Sequence, residues 1–192
     1  MKLLTRVILA ALLLSQLGSA QRQETRTVFL VRHAEKASAA PDAGLSPAGQ
    51  KRADCLAKMM KEAGIKQIYV TDAKRTQETA APLAKALNIT PTIIAAKDPN
   101  TLIRDLLYTG GGNILVVGHS DTLPFVIARI KAGSVPPIAE NEYDRMFVTT
   151  VIEGSATQAS TLRYCECGGA AAPAAPSTKT GKKGPATKKK KP

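Results

Sequence analysis

Residues 28–36, VFLVRHAEK, run four apolar side chains directly into arginine and histidine. A short unbroken apolar run of this kind is what a strand covered on both faces requires, and strands covered on both faces belong to parallel sheets between helices. The pattern recurs at residues 113–121, NILVVGHSD, where an apolar strand over 114–117 leads into Gly118, His119 and Ser120. The chain has two histidines, and both stand directly after such a strand.

Working outward, the segments between these strands read as helices. After a loop with Pro41 and Gly44, residues 46–64, SPAGQKRADCLAKMMKEAG, supply Ser46 as N-cap, Pro47 at the first helical position and apolar residues at 53, 56, 59, 60 and 63, with Gly64 as the stop. QIYVT (67–71) reads as a second strand, and residues 76–87 as a helix with Ala80, Leu83, Ala84 and Leu87 on one face. TPTIIA (90–95) predicts a third, weaker strand, followed by a short helix over 100–108. A further helix is expected over 122–131, with Pro124 in its first turn. RMFVTTVIE and ASTLRYC, separated by Gly154, are expected to pair as a hairpin. Strands alternating with helices predict an α/β three-layer sandwich with a mostly parallel central sheet flanked by helices.

The ends differ in composition. Residues 1–20 carry Lys2 and Arg6 ahead of an apolar run and then Gly18, Ser19 and Ala20, the layout of a secretory signal peptide cleaved after Ala20. That apolar run is shorter than the roughly 20 residues of a bilayer span, so the mature chain is expected to have no integral membrane span. Residues 168–192 hold seven lysines and no carboxylate, aromatic or large aliphatic residue, and read as a disordered Ala/Pro/Lys-rich basic tail. The net charge of +12 is concentrated in these ends, because residues 21–167 contain 18 basic and 15 acidic residues. A nucleic-acid-binding body is therefore not indicated. The tail could make non-specific contact with a polyanion, without sequence readout. Export predicts a periplasmic or secreted bacterial protein.

Three cysteines are too few for a disulfide scaffold. Cys55 reads as a small buried apolar residue in its helix. Cys165 and Cys167 read as a free or mutually bonded pair, and two thiols with no further Cys or His beside them make no metal site.

In open α/β sheets, ligands bind outside the carboxyl ends of the strands. Arg32 and His33 leave the first strand there, Thr71, Asp72 and Arg75 follow the second, and His119 and Ser120 follow the fourth. Two guanidiniums and two imidazoles on one rim call for an anion, and arginine's planar fork suits phosphate oxygens. A neutral imidazole could attack a phosphoryl group and form a phosphohistidine that water later hydrolyses. Neighbouring arginines would disfavour the imidazolium and meet the charge on the transferring oxygens, so the chemistry requires no cofactor or metal in principle.

The ordered set LVRHAEK, YVTDAKRTQETAAPLA and ILVVGHSDTLP resembles the histidine phosphatase superfamily, in its phosphoglycerate mutase-like branch, over about residues 27–164. The resemblance implies a domain over residues 21–167 in which His33 is the nucleophile, Arg32 and Arg75 clamp the phosphate, and His119 binds the transferring group, with Ser120 near the pocket. The sequence departs from the commonest family form in having Ala34 where glycine usually follows the first histidine. For the proton donor, Asp121 is the first candidate, with Glu35, Asp98 and Glu142 as alternatives. As a cap of the following helix, Asp121 has a second reading. Glu140, Glu142 and Asp144 read as a loop cluster paired with Arg145 or neighbouring bases.

The expected activity is hydrolysis of a phosphate monoester of a small metabolite or envelope sugar. The alternatives are a phosphomutase or a phosphohistidine protein phosphatase of the same fold, and a non-catalytic anion-binding module whose tail carries the biology.

Overall fold

The computed structural model describes residues 25–152 and 154–165. The expected signal segment, the lysine-rich tail and Cys167 lie outside the described residues. Seven strands and four helices alternate as β1 (Thr25–Arg32), α1 (Pro47–Met60), β2 (Ile65–Thr71), α2 (Lys74–Leu87), β3 (Thr92–Ile94), α3 (Pro99–Tyr108), β4 (Asn113–Gly118), α4 (Thr122–Arg129), β5 (Arg145–Ile152), β6 (Ser155–Ala156) and β7 (Ser160–Arg163).

Alternation along the two diagnostic strands builds the layers. Val28 and Leu30 of β1, with Ile114 and Val116 of β4, face α3 and α4 and pack with Leu102, Leu106, Leu123 and Ile127. Val31, Leu115 and Val117 face the other way, onto Leu56, Met60 and Leu83 of α1 and α2. Covering both faces explains why these strands are apolar at every position rather than at every second one. Ser46 caps α1 by accepting from the Gly49 amide, with Pro47 next to it, and α2 ends on Asn88 in the left-handed conformation.

The sheet order is β3-β2-β4-β1-β5-β6, with β7 also on β5. β3, β2, β4 and β1 are parallel, whereas β5 runs antiparallel to β1 and carries β6 and β7 antiparallel on its other side. The sheet is thus mixed, where a mostly parallel one was expected. The expected hairpin is present, interrupted between β6 and β7. The antiparallel part begins at β5, which returns from α4 by the long segment 130–144, and β6 and β7 follow it by short connections, which can only return antiparallel.

The cysteine expectation needs correcting. Cys55 forms a disulfide with Cys165, 110 residues away, with Cα atoms 6.0 Å apart. The cause is tertiary: the segment after β7 folds back over α1, where Arg52 donates to the Tyr164 and Cys165 carbonyls at 3.4 and 2.9 Å. Among the described residues, no helix is long and apolar enough to cross a membrane.

Candidate active site

Parallel pairing brings the two histidine-bearing strand ends together. Arg32 is in register with Gly118, and the pairing continues one residue further, the His33 amide donating to the Gly118 carbonyl at 2.9 Å. The imidazoles of His33 and His119 consequently stand edge to face, with centroids 5.5 Å apart. β2, on the other side of β4, contributes Thr71 and leads into Arg75 in the first turn of α2.

His33 is buried, and its Nδ1 lies 2.8 Å from the Ala34 carbonyl. A carbonyl only accepts, so Nδ1 carries the proton and Nε2 presents the lone pair. Burial, opposed by the Ala34 bond and reinforced by Arg32, His119 and Arg75, lowers the His33 pKa to about 4. The ring is therefore neutral at pH 7, with Nε2 as its basic nitrogen. The sequence reading credited the arginines with this effect; burial is the larger cause. His119 is shifted in the same direction by burial and then by Arg75, with Asp121 opposing.

Ala34 is fully buried and packs with Leu45 and Ala53, so its methyl fills the space beneath the loop that follows β1. Its amide donates to Thr79 Oγ1 at 2.9 Å. The same loop is braced by α1: the Ser46 amide donates to the Glu35 carbonyl at 2.8 Å, and a Cβ on Gly49 would stand 2.3 Å from that oxygen. Glycine is needed at 49 for this close approach.

The two arginines are held differently. Arg32 Nη1 donates to the carbonyls of Ala139, Glu140 and Glu142 at 2.8, 2.8 and 3.1 Å, and its guanidinium lies 4.4 Å over the Tyr143 ring. Arg75 Nη1 donates to the Pro41 carbonyl at 2.7 Å, while its Nη2 lies 3.3 Å from His119 Nδ1. Among the described residues, the Nε of each is buried without a hydrogen-bond partner. A buried guanidinium donor gains from an acceptor, and an oxyanion between the two arginines would supply one.

The candidate acids separate by their partners. Burial pushes the Glu35 carboxyl up, but Arg52, bonded to both its oxygens at 2.7 to 3.0 Å, more than offsets this and holds it below the usual carboxylate range. Asp98 is exposed and caps α3, accepting from the Asn100 amide and the Thr101 hydroxyl. Glu142 pairs with Arg145 and Arg163, both at 2.7 Å, and burial of its carboxyl is likewise outweighed by Arg145. Asp144 pairs with Arg163, completing the loop cluster expected for this segment. Asp121 is exposed, close enough to His119 to act on its charge, and accepts from the Thr122 amide at 2.8 Å. Asp98 and Asp121 are thus the candidate carboxylates with no basic side chain bonded to them among the described residues, and of the two Asp121 is the one that acts on the charge of His119. Ser120 is half-buried beside it.

Sequence reasoning missed Tyr143, Thr76 and Thr79. Tyr143 packs on Arg32 and stands 6.0 Å from the His33 ring, a placement made by the long return from α4 to β5. Thr76 and Thr79 are fully buried polar residues one turn apart on α2. Two threonines at that spacing immediately after Arg75 were the available signal. Among the described residues, no group of three or more His, Cys, Asp or Glu is placed to hold a metal ion.

Comparison with known proteins agrees with this geometry. Residues 28–97 match the family described as Histidine phosphatase superfamily (branch 1), a span that includes Arg32, His33 and Arg75. The match spans 70 of the 192 residues, and over that span the chain is similar to this superfamily. Among solved structures, the protein histidine phosphatase SixA complexed with tungstate is similar at 20% identity and TM-score 0.60, covering 71% of this chain and 96% of that one. A mycobacterial glucosyl-3-phosphoglycerate phosphatase is similar at 12% identity and TM-score 0.56, covering 73% of this chain and 98% of that one. These likenesses establish the shared α/β architecture. No curated protein matches the chain.

Proposed function

We propose that this protein is a phosphoric monoester hydrolase that works through a phosphohistidine on His33. The observation that carries the reading is the Nδ1 bond of His33 to the Ala34 carbonyl, which leaves Nε2 as a neutral nucleophile in a pocket with two unsatisfied arginine Nε groups. Arg32 and Arg75 hold the phosphoryl oxygens, and Nε2 attacks phosphorus as the bond to the leaving oxygen breaks. That oxygen takes a proton from Asp121 in its acid form or from a water beside it. Water then attacks the phosphohistidine, losing a proton to the same carboxylate, and inorganic phosphate leaves with Nε2 free again. His119 acts on the transferring group through Arg75, whose Nη2 it meets at 3.3 Å and whose guanidinium faces the charge spread over that group.

The substrate fits a small phosphorylated metabolite or sugar, the class represented by the sugar phosphatase similar in fold. Export remains part of the proposal: residues 1–20 have the pattern of a secretory signal, and a disulfide between Cys55 and Cys165 suits an oxidising compartment. A periplasmic or extracellular setting follows.

The test compares wild type with His33→Ala for phosphate release from a panel of phosphate monoesters, with chelator present throughout. Release that survives the chelator and disappears in the variant supports the proposal. Release that the variant retains would overturn it, and a wild type inactive on every ester would favour a mutase, a phosphoprotein substrate or an anion-binding module.

A further inference from the structure

Thr71 ends β2 with its hydroxyl among three partners: His119 Nε2 at 2.9 Å, Thr76 Oγ1 at 3.0 Å, and the Ala73 amide, which donates to it at 3.4 Å. A threonine hydroxyl has one proton to give and two lone pairs to offer. The direction of each bond follows from Thr76, fully buried at the start of α2. The Thr76 hydroxyl lies 2.7 Å from the Ala73 carbonyl and 3.0 Å from the Thr71 carbonyl. Carbonyls only accept, so the Thr76 proton is committed to them and its oxygen accepts from Thr71. The single Thr71 proton is then used. Thr71 Oγ1 can only accept from His119, and Nε2 of His119 must carry a proton.

The other side of the ring gives the same answer independently. Arg75 Nη2, which only donates, stands 3.3 Å from His119 Nδ1, and a neutral ring can meet it there only with a lone pair. The charged or titratable groups acting on His119 are Arg75 from α2, Arg32 and His33 from the β1 end, Asp72 from the turn after β2, and Asp121 from its own turn. Burial and Arg75 outweigh the two carboxylates, which keeps the ring neutral and makes its tautomer a defined property.

We infer that Thr71, held in turn by Thr76, is a positioning residue that fixes His119 as its Nε2–H tautomer and directs the Nδ1 lone pair onto Arg75. Arg75 thereby keeps its guanidinium at the pocket before substrate arrives, tethered by Pro41 on one side and His119 on the other. The two histidines enter the reaction as opposite tautomers, His33 protonated at Nδ1 and His119 at Nε2. The inference deepens the hydrolase reading and rests on it only for the meaning of the pocket, because the tautomer exists without substrate.

Nitrogen-15 spectroscopy of the imidazoles in the full, untagged chain reads this directly, since there are two histidines to resolve and His33→Gln assigns them. The expected result at neutral pH is one ring of each tautomer, with His119 showing a proton-bearing Nε2 and a pyridine-like Nδ1. In Thr71→Val, the His119 nitrogens should move toward a tautomer average while His33 stays unchanged, and Thr71→Ser should restore the wild-type pattern. On an active ester, the valine variant should lose roughly 10-fold or more in kcat, as loss of a partner that orients a histidine does elsewhere, with a smaller change in KM and rescue by serine. If Thr71→Val lacks a native-like amide spectrum, Thr76→Val removes the same constraint from behind, and the same His119 shift is expected. A wild-type His119 protonated at Nδ1, or a His119 spectrum unmoved by loss of either hydroxyl, would overturn the inference. Opposite tautomers in a protein inactive on all esters would leave this inference standing and remove the hydrolase reading instead.

Discussion

The rings of His33 and His119 stand 5.5 Å apart at an interplanar angle of 62°, each carried on the end of one of two adjacent parallel strands. Their separation is set by the backbone register of β1 and β4 rather than by any bond between them. Loops around the rim can therefore vary without moving the two rings relative to each other. What surrounds the pair decides how each ring titrates and which oxyanion it meets.

The first prediction concerns acid stability. His33 titrates at about 4 in the folded chain against 6.5 for an unperturbed ring, with burial the chief cause. Between those values the unfolded chain binds a proton that the folded chain does not, so this contribution to stability is fully present above pH 6.5 and is lost as pH falls toward 4. The denaturant midpoint of wild type should decline through that window. His33→Asn, which cannot titrate there, should show a shallower decline; equal slopes would mean that His33 is not held neutral by burial.

Arg75→Lys should lower kcat/KM by about 100-fold, because a lysine cannot bond Pro41, His119 and a phosphate oxygen from one planar fork. The melting temperature should stay close to wild type, since Arg75 is tied to the rim rather than the core. Arg32→Lys should lose activity comparably and stability as well, because three carbonyls of residues 139–142 depend on Arg32 Nη1. A melting temperature unchanged in Arg32→Lys would count against that bracing role.

Asp121 carries two roles that one substitution separates. Asparagine caps helices about as well as aspartate, so Asp121→Asn should alter stability little. Its effect on rate should depend on the leaving group: large for alkyl phosphates, whose departing oxygen needs a proton, and small for aryl phosphates with acidic phenols. Equal effects on both series, or none, would leave Asp121 as a cap alone.

The Cys55–Cys165 bond closes a segment of 110 residues. Loop-closure reasoning gives a stabilisation of about 5 kcal/mol, which strain or residual unfolded structure can reduce. Unfolding in denaturant with and without a dithiol reductant measures it, and reduction should lower the midpoint clearly. Mass spectrometry of the unreduced chain after proteolysis should recover the peptides around residues 55 and 165 linked; a Cys165–Cys167 link instead would refute the pairing.

Most of the fold was legible because local physics sufficed. The uninterrupted apolar runs at 28–31 and 114–117 announced strands covered on both faces, and Ser46 with Pro47 marked the start of α1. Arg32, His33, Arg75 and His119 could be placed on one rim because each follows a parallel strand, and that position is nearly synonymous with the rim in this architecture. Two local expectations gave way to contacts made elsewhere. The sheet became mixed where the long return from α4 laid β5 antiparallel against β1, and Cys165 bonded to Cys55 rather than pairing with its neighbour Cys167.

The sequence by itself determined the layered α/β class, the strand ends and the four residues that meet on one rim, since periodicity, caps and turn residues act over a few positions along the chain. Tertiary structure alone decided that Glu35 belongs to Arg52 and Glu142 to Arg145 and Arg163, that Tyr143 stacks on Arg32, and that Thr71 bonds both Thr76 and His119. Each of these depends on which groups are brought within about 3 Å after the core has closed, and on how much water burial removes. Spacing along the chain carries no record of either.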